Sequence, residues 1–361
     1  MSHQTTKHSL THIHLVPGVI LIVLVSFVLS PQAGFANSPK PPIMVGLIPD
    51  VGGVDDNNFN EMAADGLAHA VTDFGIVSAI YQPASTDEYA AKIDECVSAG
   101  SALCITVGFL QGDATMAAAI ANPGVKFAIV DMTWETYPDN LRGISFASEE
   151  VGYLAGTLAA LMSTSKVIGA IGGLPIPPVD AFMVPFQYGA QWTDPSVQVI
   201  LEYSYDFGNP PLGAQMAADQ MSRGADVIFA VAGPTSIGVN LATAQAGKWA
   251  IGVDVDTYYS TFGGGTVDGH EFLLTSALKR VDNAVYHTIE AVVGGTFTSG
   301  TMINNLQNEG VGMAPYHDAA ASIPQDVQDE LAAVTHSIIN GETDVWEPFY
   351  KYTISLPVVM K

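Results

Sequence analysis

The stretch from Asp50 to Glu61, DVGGVDDNNFNE, gathers carboxylates and side-chain amides around a single phenylalanine. Groups of this kind either hold a hard cation or hydrogen-bond a polar small molecule. Twelve residues ending in Glu match a calcium loop in length. Gly52 and Val54, however, stand where that loop needs oxygen ligands, and its central glycine is missing. Gly52 and Gly53 give the backbone freedom for a close turn. Neither GxxxxGK[ST] nor GxGxxG occurs here, so the turn is not a phosphate cradle. Asn58 with Glu61 three residues later forms a capping-box pair, which predicts a helix starting at Phe59 with Asn60 in its first turn. That places Phe59 beside a polar loop rather than deep in a core.

Further chemistry-bearing residues follow apolar runs. Asp131 ends FAIVD, Gly233 lies in VAGPTSIG, Asp254 in IGVDVD and Lys279 in TSALK. A carboxylate after a strand is often a helix cap. Asp50, Asp131 and Asp254 at equivalent strand ends, with one Lys in a chain short of bases, read instead as a polar ring around a small neutral ligand. Carboxylates accept hydrogen bonds from hydroxyl or amino groups, and an aromatic such as Phe59 covers a flat face. There is no GxSxG elbow, no HExxH and no paired-Cys metal motif. His69, His270, His287 and His317 are scattered. No cofactor or metal is expected. The alternative from another class is a nucleoside-cleaving enzyme, with Asp50, Asp55 and Asp56 holding a metal.

The elements that must position these residues alternate. IMVGLIP, IVSAIY, ALCITVGF and VKFAIVD read as strands, separated by segments with helical spacing such as Ala63, Leu67, Ala70, Val71 and Phe74. The alternation breaks over residues 140–148 and restarts with further strands in KVIGAIGG, VQVILEYSY, ADVIFAVAG and WAIGVDVD. A helix interrupted by Pro185 is expected over VDAFMVPFQYGAQW. Strand–helix alternation implies parallel sheets covered on both faces. The break favours two similar α/β lobes over a closed eight-fold barrel. In either architecture ligands collect at the carboxyl ends of the strands.

The N-terminus, MSHQTTKHSLTHIH, carries Lys7, four His and no acid; LVPGVILIVLVSFVL and then SPQAGFANSP follow. This is the pattern of a signal peptide cleaved after Ala36, with no cysteine nearby for lipid attachment. The apolar run is shorter than the ~20 residues of a membrane span and contains Pro17 and Gly18, so a retained anchor is the lesser reading. The expected location is extracytoplasmic, without stable membrane insertion. The chain has 361 residues, 36 acids, 12 bases and a net charge of −24, which repels nucleic acid and anionic lipid. Cys96 and Cys104 could form a short-loop disulfide or remain two buried thiols.

Taken together, LIPDVGGVDDNNFNEMAADGL resembles the opening motif of the basic membrane protein family of ABC-transporter substrate-binding proteins, whose best-understood members are purine nucleoside receptors. FAIVD, GISFASEEVGYLAGTLAALMS, GADVIFAVAG, KWAIGVDVD, LLTSALKRVDNAVY and NEGVGMAP extend the likeness in order along the chain. The resemblance implies a type I periplasmic-binding-protein fold: two Rossmann-like lobes joined by three crossovers that close on a ligand. It implies a lobe of residues 42–145 plus 275–298, and another of 146–274 plus 299–361. It assigns the base to Phe59 and Asn60, places the family's aspartates after the first and fourth strands on Asp50 and Asp131, puts a second aromatic at Phe182 (Phe207 and Phe229 as rivals), and gives the ribose to Gly233, Asp254 and Lys279; Asn58 is a further candidate ligand-binding residue. It implies a monomer that delivers a small molecule, such as a purine nucleoside, to ABC permease subunits; a ligand sensor for a signalling receptor would share the site. Asn57-Asn58, Pro185 and Pro234 depart from the family pattern, where Lys-Ser, Gly and Gly are common.

Overall fold

The computed structural model describes residues 42–346; the expected signal segment 1–36 and the last part of the expected second lobe, from 347, lie outside the described residues. The strands are β1 Met44–Ile48, β2 Val77–Ile80, β3 Leu103–Val107, β4 Lys126–Val130, β5 Leu141–Phe146, β6 Val167–Gly172, β7 Gln198–Tyr203, β8 Val227–Val231, β9 Trp249–Asp254, β10 Leu273–Lys279, β11 Gly300–Asn304 and β12 Val311–Met313. The helices are α1 Phe59–Phe74, α2 Tyr89–Ser98, α3 Gly112–Ala121, α4 Ser148–Met162, α5 Pro177–Thr193, α6 Pro210–Ser222, α7 Thr235–Gln245, α8 Thr257–Ser260, α9 Val281–Val293 and α10 Gln325–Ile339.

Two six-stranded sheets result, ordered β11-β5-β4-β3-β1-β2 and β12-β10-β9-β8-β6-β7. Every neighbouring pair is parallel except β12 on β10. Central parallel strands are buried on both faces, which is why VIFAV (β8) is apolar throughout, LCITV (β3) is apolar but for Thr106, and both are buried at every position. Helices bury one stripe: α1 sinks Ala63, Leu67 and Ala70, residues spaced by three and four. The fold is two α/β halves, not a closed barrel.

The break at 140–148 holds a strand that was not expected, β5, which pairs with β4 and β11 in the first sheet. The chain departs from the expected lobe boundaries in two places. The exchange at residue 275 falls later, because β10 pairs with β9 and runs to Lys279 wholly within the second sheet. The exchange at 298 also falls later, because β11 pairs with β5 of the first sheet. In addition α5 runs through Pro185 without a break. Pro185 is buried and its neighbours Phe182, Met183 and Phe186 pack in the core, so tertiary packing offsets the lost backbone hydrogen bond.

The cysteines form a Cys96–Cys104 disulfide that ties the end of α2 to β3. Both are fully buried. Closing so short a loop removes chain entropy from the unfolded state, so the Cys96→Ala/Cys104→Ala variant is expected to lose about 2–3 kcal/mol of unfolding free energy, measured by urea titration. Equal midpoints for the two proteins would show that the cross-link contributes nothing.

Candidate functional site

In an open parallel sheet a crevice forms at the strand carboxyl ends where strand order reverses. In the first sheet that point lies between β1 and β3, and in the second between β6 and β8. The segments following all four strands line one cavity of about 440 Å³. Asp50 enters it after β1, Gly108 and Phe109 after β3, Leu174 and Ile176 after β6, and Gly233 after β8. Asp131, Asp254 and Lys279 reach it from the neighbouring strands β4, β9 and β10. Of the residues singled out in the sequence, Asp50, Phe59, Asn60, Asp131, Phe182, Gly233, Asp254 and Lys279 meet here; Asn58 does not line the cavity.

Lys279 forms the root of the site. Its Nζ lies 2.5 Å from Asp131 Oδ2, with the rings of Phe59, Phe146 and Phe182 at 5.0, 5.2 and 5.8 Å. The pair spans the two sheets, since Asp131 follows β4 and Lys279 ends β10. Asp254 is buried beside it. Desolvation pushes the Asp254 carboxyl up to about 6; Lys279 opposes that rise, while Asp131 and Asp56 add to it. Asp131, Gly233 and Asp254 all turn away from their strands with left-handed backbones, at φ 68°, 54° and 63°. Such conformations cost non-glycine residues about 1–2 kcal/mol each.

The polar loop before α1 is organised by Asp56, not Asn58. α1 begins at Phe59, but Asn58 makes no side-chain cap. Instead the buried Asp56 carboxylate accepts hydrogen bonds from the backbone N–H groups of Asn58, Asn60 and Glu61 and from Asn60 Nδ2, at 2.9–3.1 Å. Asn60 Oδ1 in turn accepts from Asp50 N at 2.8 Å. Asn60 therefore builds the loop with the amide that the sequence assigned to a ligand. Asn58 is buried and Oδ1 has no partner among the described residues. Asp and Asn both cap helices well, so side-chain type alone could not choose between positions 56 and 58.

Two candidates for the second aromatic reach the cavity. Phe182 lines the cavity but is only 2% exposed and packs edge-to-face on Phe229; Phe229 is itself buried against Phe186. Phe207 is half-buried and lines the cavity. A side chain at Gly173 would come within 2.0 Å of the Phe207 ring, so glycine there is what lets the ring pack close to the chain. Phe207 is the less buried of the two rings. Tyr205, Pro178 and Leu110 complete an apolar flank that the sequence did not signal.

The raised Asp254 carboxyl has a definite consequence for stability. Its proton is held more tightly in the folded state than in the unfolded one, so its contribution is full below about pH 4 and is lost as pH rises through about 6. Asp254→Asn removes that dependence. Between pH 4 and pH 7 the variant should gain on the parent by roughly 2–3 kcal/mol in denaturant melts. A constant difference across that range would mean the carboxyl is not perturbed.

With this geometry in view, comparison with known proteins places the chain. The family model described as ABC transporter substrate-binding protein PnrA-like, Bmp, matches residues 43–347. The chain is 32% identical to the CD4+ T-cell-stimulating antigen of Listeria monocytogenes over 84% of this chain and 88% of that one. It is 29% identical to the ABC transporter nucleoside-binding protein BmpA of Lactococcus lactis over 87% and 92% respectively. The solved ABC transporter solute-binding protein of Aeropyrum pernix superposes with a TM-score of 0.76 at 28% identity, over 84% of this chain and 93% of that one. The two-sheet architecture is thus the type I periplasmic-binding-protein fold, and the chain belongs to the Bmp family of PnrA-like ABC transporter substrate-binding proteins.

Proposed function

We propose that this protein is the extracytoplasmic receptor of an ABC importer and binds a purine nucleoside between its two halves. One observation carries the reading: the cavity sets two half-buried rings, Phe59 and Phe207, beside Asp50, Asp131, Asp254 and Lys279. Ring faces suit a flat heterocycle. Carboxylates suit its N–H groups and the hydroxyls of a sugar. Asp254, Lys279 and Gly233, which follow or end strands of the second sheet, are the proposed hydroxyl-binding end. The nucleoside-binding name of the Lactococcus relative supports a nucleoside as the ligand. The signal-like segment supports export, and no helix among the described residues is long and apolar enough to cross a membrane. Docking to permease subunits follows from the family role.

Calorimetry on residues 37–361, unfolded and refolded to shed carried-over ligand, tests the reading. Adenosine, guanosine or inosine should bind with sub-micromolar affinity, while ribose and the free bases bind far more weakly. Phe59→Ala and Asp254→Ala should each weaken binding by about 1–3 kcal/mol, through a lost stack and a stranded polar partner. Release of free base during the titration would point to the hydrolase alternative. Silence with every purine nucleoside would overturn the ligand assignment.

A further inference from the structure

Asp50 is held from behind by a residue that does not line the ligand space. Tyr89, the first residue of α2, is 4% exposed and lies outside the cavity lining, yet its hydroxyl donates to Asp50 Oδ1. Val51 N donates to the same oxygen at 2.8 Å. Gln82 Nε2 reaches the Asp50 carbonyl at 3.4 Å, and Asp50 N is held by Asn60. Oδ1 is therefore consumed inside the protein. Oδ2 accepts no hydrogen bond among the described residues and faces Gly108, where a side chain would come within 2.6 Å of it. The other end of α2 is anchored by the Cys96–Cys104 disulfide to β3, the strand that leads into Gly108. One short helix thus links a covalent tether to the carboxylate at the cavity wall.

We propose that Tyr89 is a positioning residue of the binding site, whose hydroxyl fixes the Asp50 carboxylate so that Oδ2 alone is presented, as an anionic acceptor, to the N–H groups of the bound ligand. The proposal rests on the nucleoside reading for the identity of that ligand. The electrostatics are consistent with it. Burial raises the Asp50 carboxyl, the Tyr89 hydrogen bond is the foremost effect opposing that rise, and Asp131 after β4 and Asp56 before α1 add to it by like charge. The cation nearest this wall, Lys279, is already taken by Asp131. The Tyr89 hydroxyl is therefore the group that most offsets the effect of burial on the Asp50 carboxyl.

Two readouts on Tyr89→Phe test this. The first needs no ligand: carbon-detected NMR titration of the Asp50 carboxyl, its signal identified by its loss in Asp50→Asn. In Tyr89→Phe the Asp50 titration should move to higher pH. The second is guanosine affinity against pH. Tyr89→Phe should bind about tenfold more weakly at neutral pH. Its loss of binding on acidification should begin at a higher pH than in the parent. In the Asp50→Asn background, where Asp254 still titrates, Tyr89→Phe should no longer shift the acidic limb, and the double variant should bind no more weakly than Asp50→Asn alone. A purely structural role for Tyr89 would lower thermal stability and leave the Asp50 titration in place; that outcome overturns the proposal. A shifted titration with unchanged affinity, in a parent that binds guanosine, overturns it as well. A parent that binds no purine nucleoside sinks the ligand reading instead, while the ligand-free titration still decides the role of Tyr89.

Discussion

A single buried ammonium organises the cavity. The chain carries 12 bases against 36 acids, and one of those few bases, Lys279, is 2% exposed at the junction of the two sheets. An isolated ammonium in such a place would be strongly disfavoured. Here one carboxylate from the opposite sheet and three aromatic faces surround it. Asp131 holds the direct contact and Asp254 shares the field at longer range. That asymmetry explains why Asp254 titrates high although a cation is close: burial outweighs an attraction already spent largely on Asp131. It also means that a ligand hydroxyl meeting Asp254 finds a carboxyl poised near neutrality, able to accept or to donate.

The backbone geometry follows from the same need. To turn a carboxylate from a strand end into the crevice, the chain must leave the strand sharply. Asp131 and Asp254 do so in the left-handed region, which side chains other than Gly, Asn and Asp rarely adopt. Strain of this kind persists only where the surroundings fix it. Those surroundings are the buried strands β4, β8 and β9, whose parallel ladders leave the chain little room to relax. The acceptors are thereby set in place before any ligand arrives, which reduces the ordering cost of binding.

Much of this was legible in the sequence because two rules act locally. Apolar runs of strand length give the parallel strands, and ligand groups follow their carboxyl ends. Those rules alone find Asp50, Asp131, Gly233, Asp254 and Lys279. What escaped depends on contacts between distant residues. The LRGISF strand carries an arginine and a glycine and becomes a strand only because it has β4 on one side and β11, more than 150 residues later, on the other. Phe182 lies within α5 and Phe207 shortly after β7, and only their packing shows that Phe182 is the more deeply buried of the two. Asp56 and Asn58 are both good caps, and only the fold of the loop selects the former. Tyr89 carries no motif at all, because its role arises from the meeting of α2 with the end of β1.

The placement of the ion pair also bears on how the halves would move. Phe146 ends β5 and Lys279 ends β10, and each is the last strand residue before the chain crosses from one sheet to the other. The third crossing, between β11 and β12, is fastened back to the other two: Ala147 N donates to Asn304 O, Leu306 N donates to Glu150 Oε2, and Arg280 N donates to Gly310 O. The cation and one of its aromatic walls thus sit on the segments about which two halves of this kind close. A ligand that draws on Asp254 and Lys279 changes the electrostatics of the pivot directly, with no intervening relay.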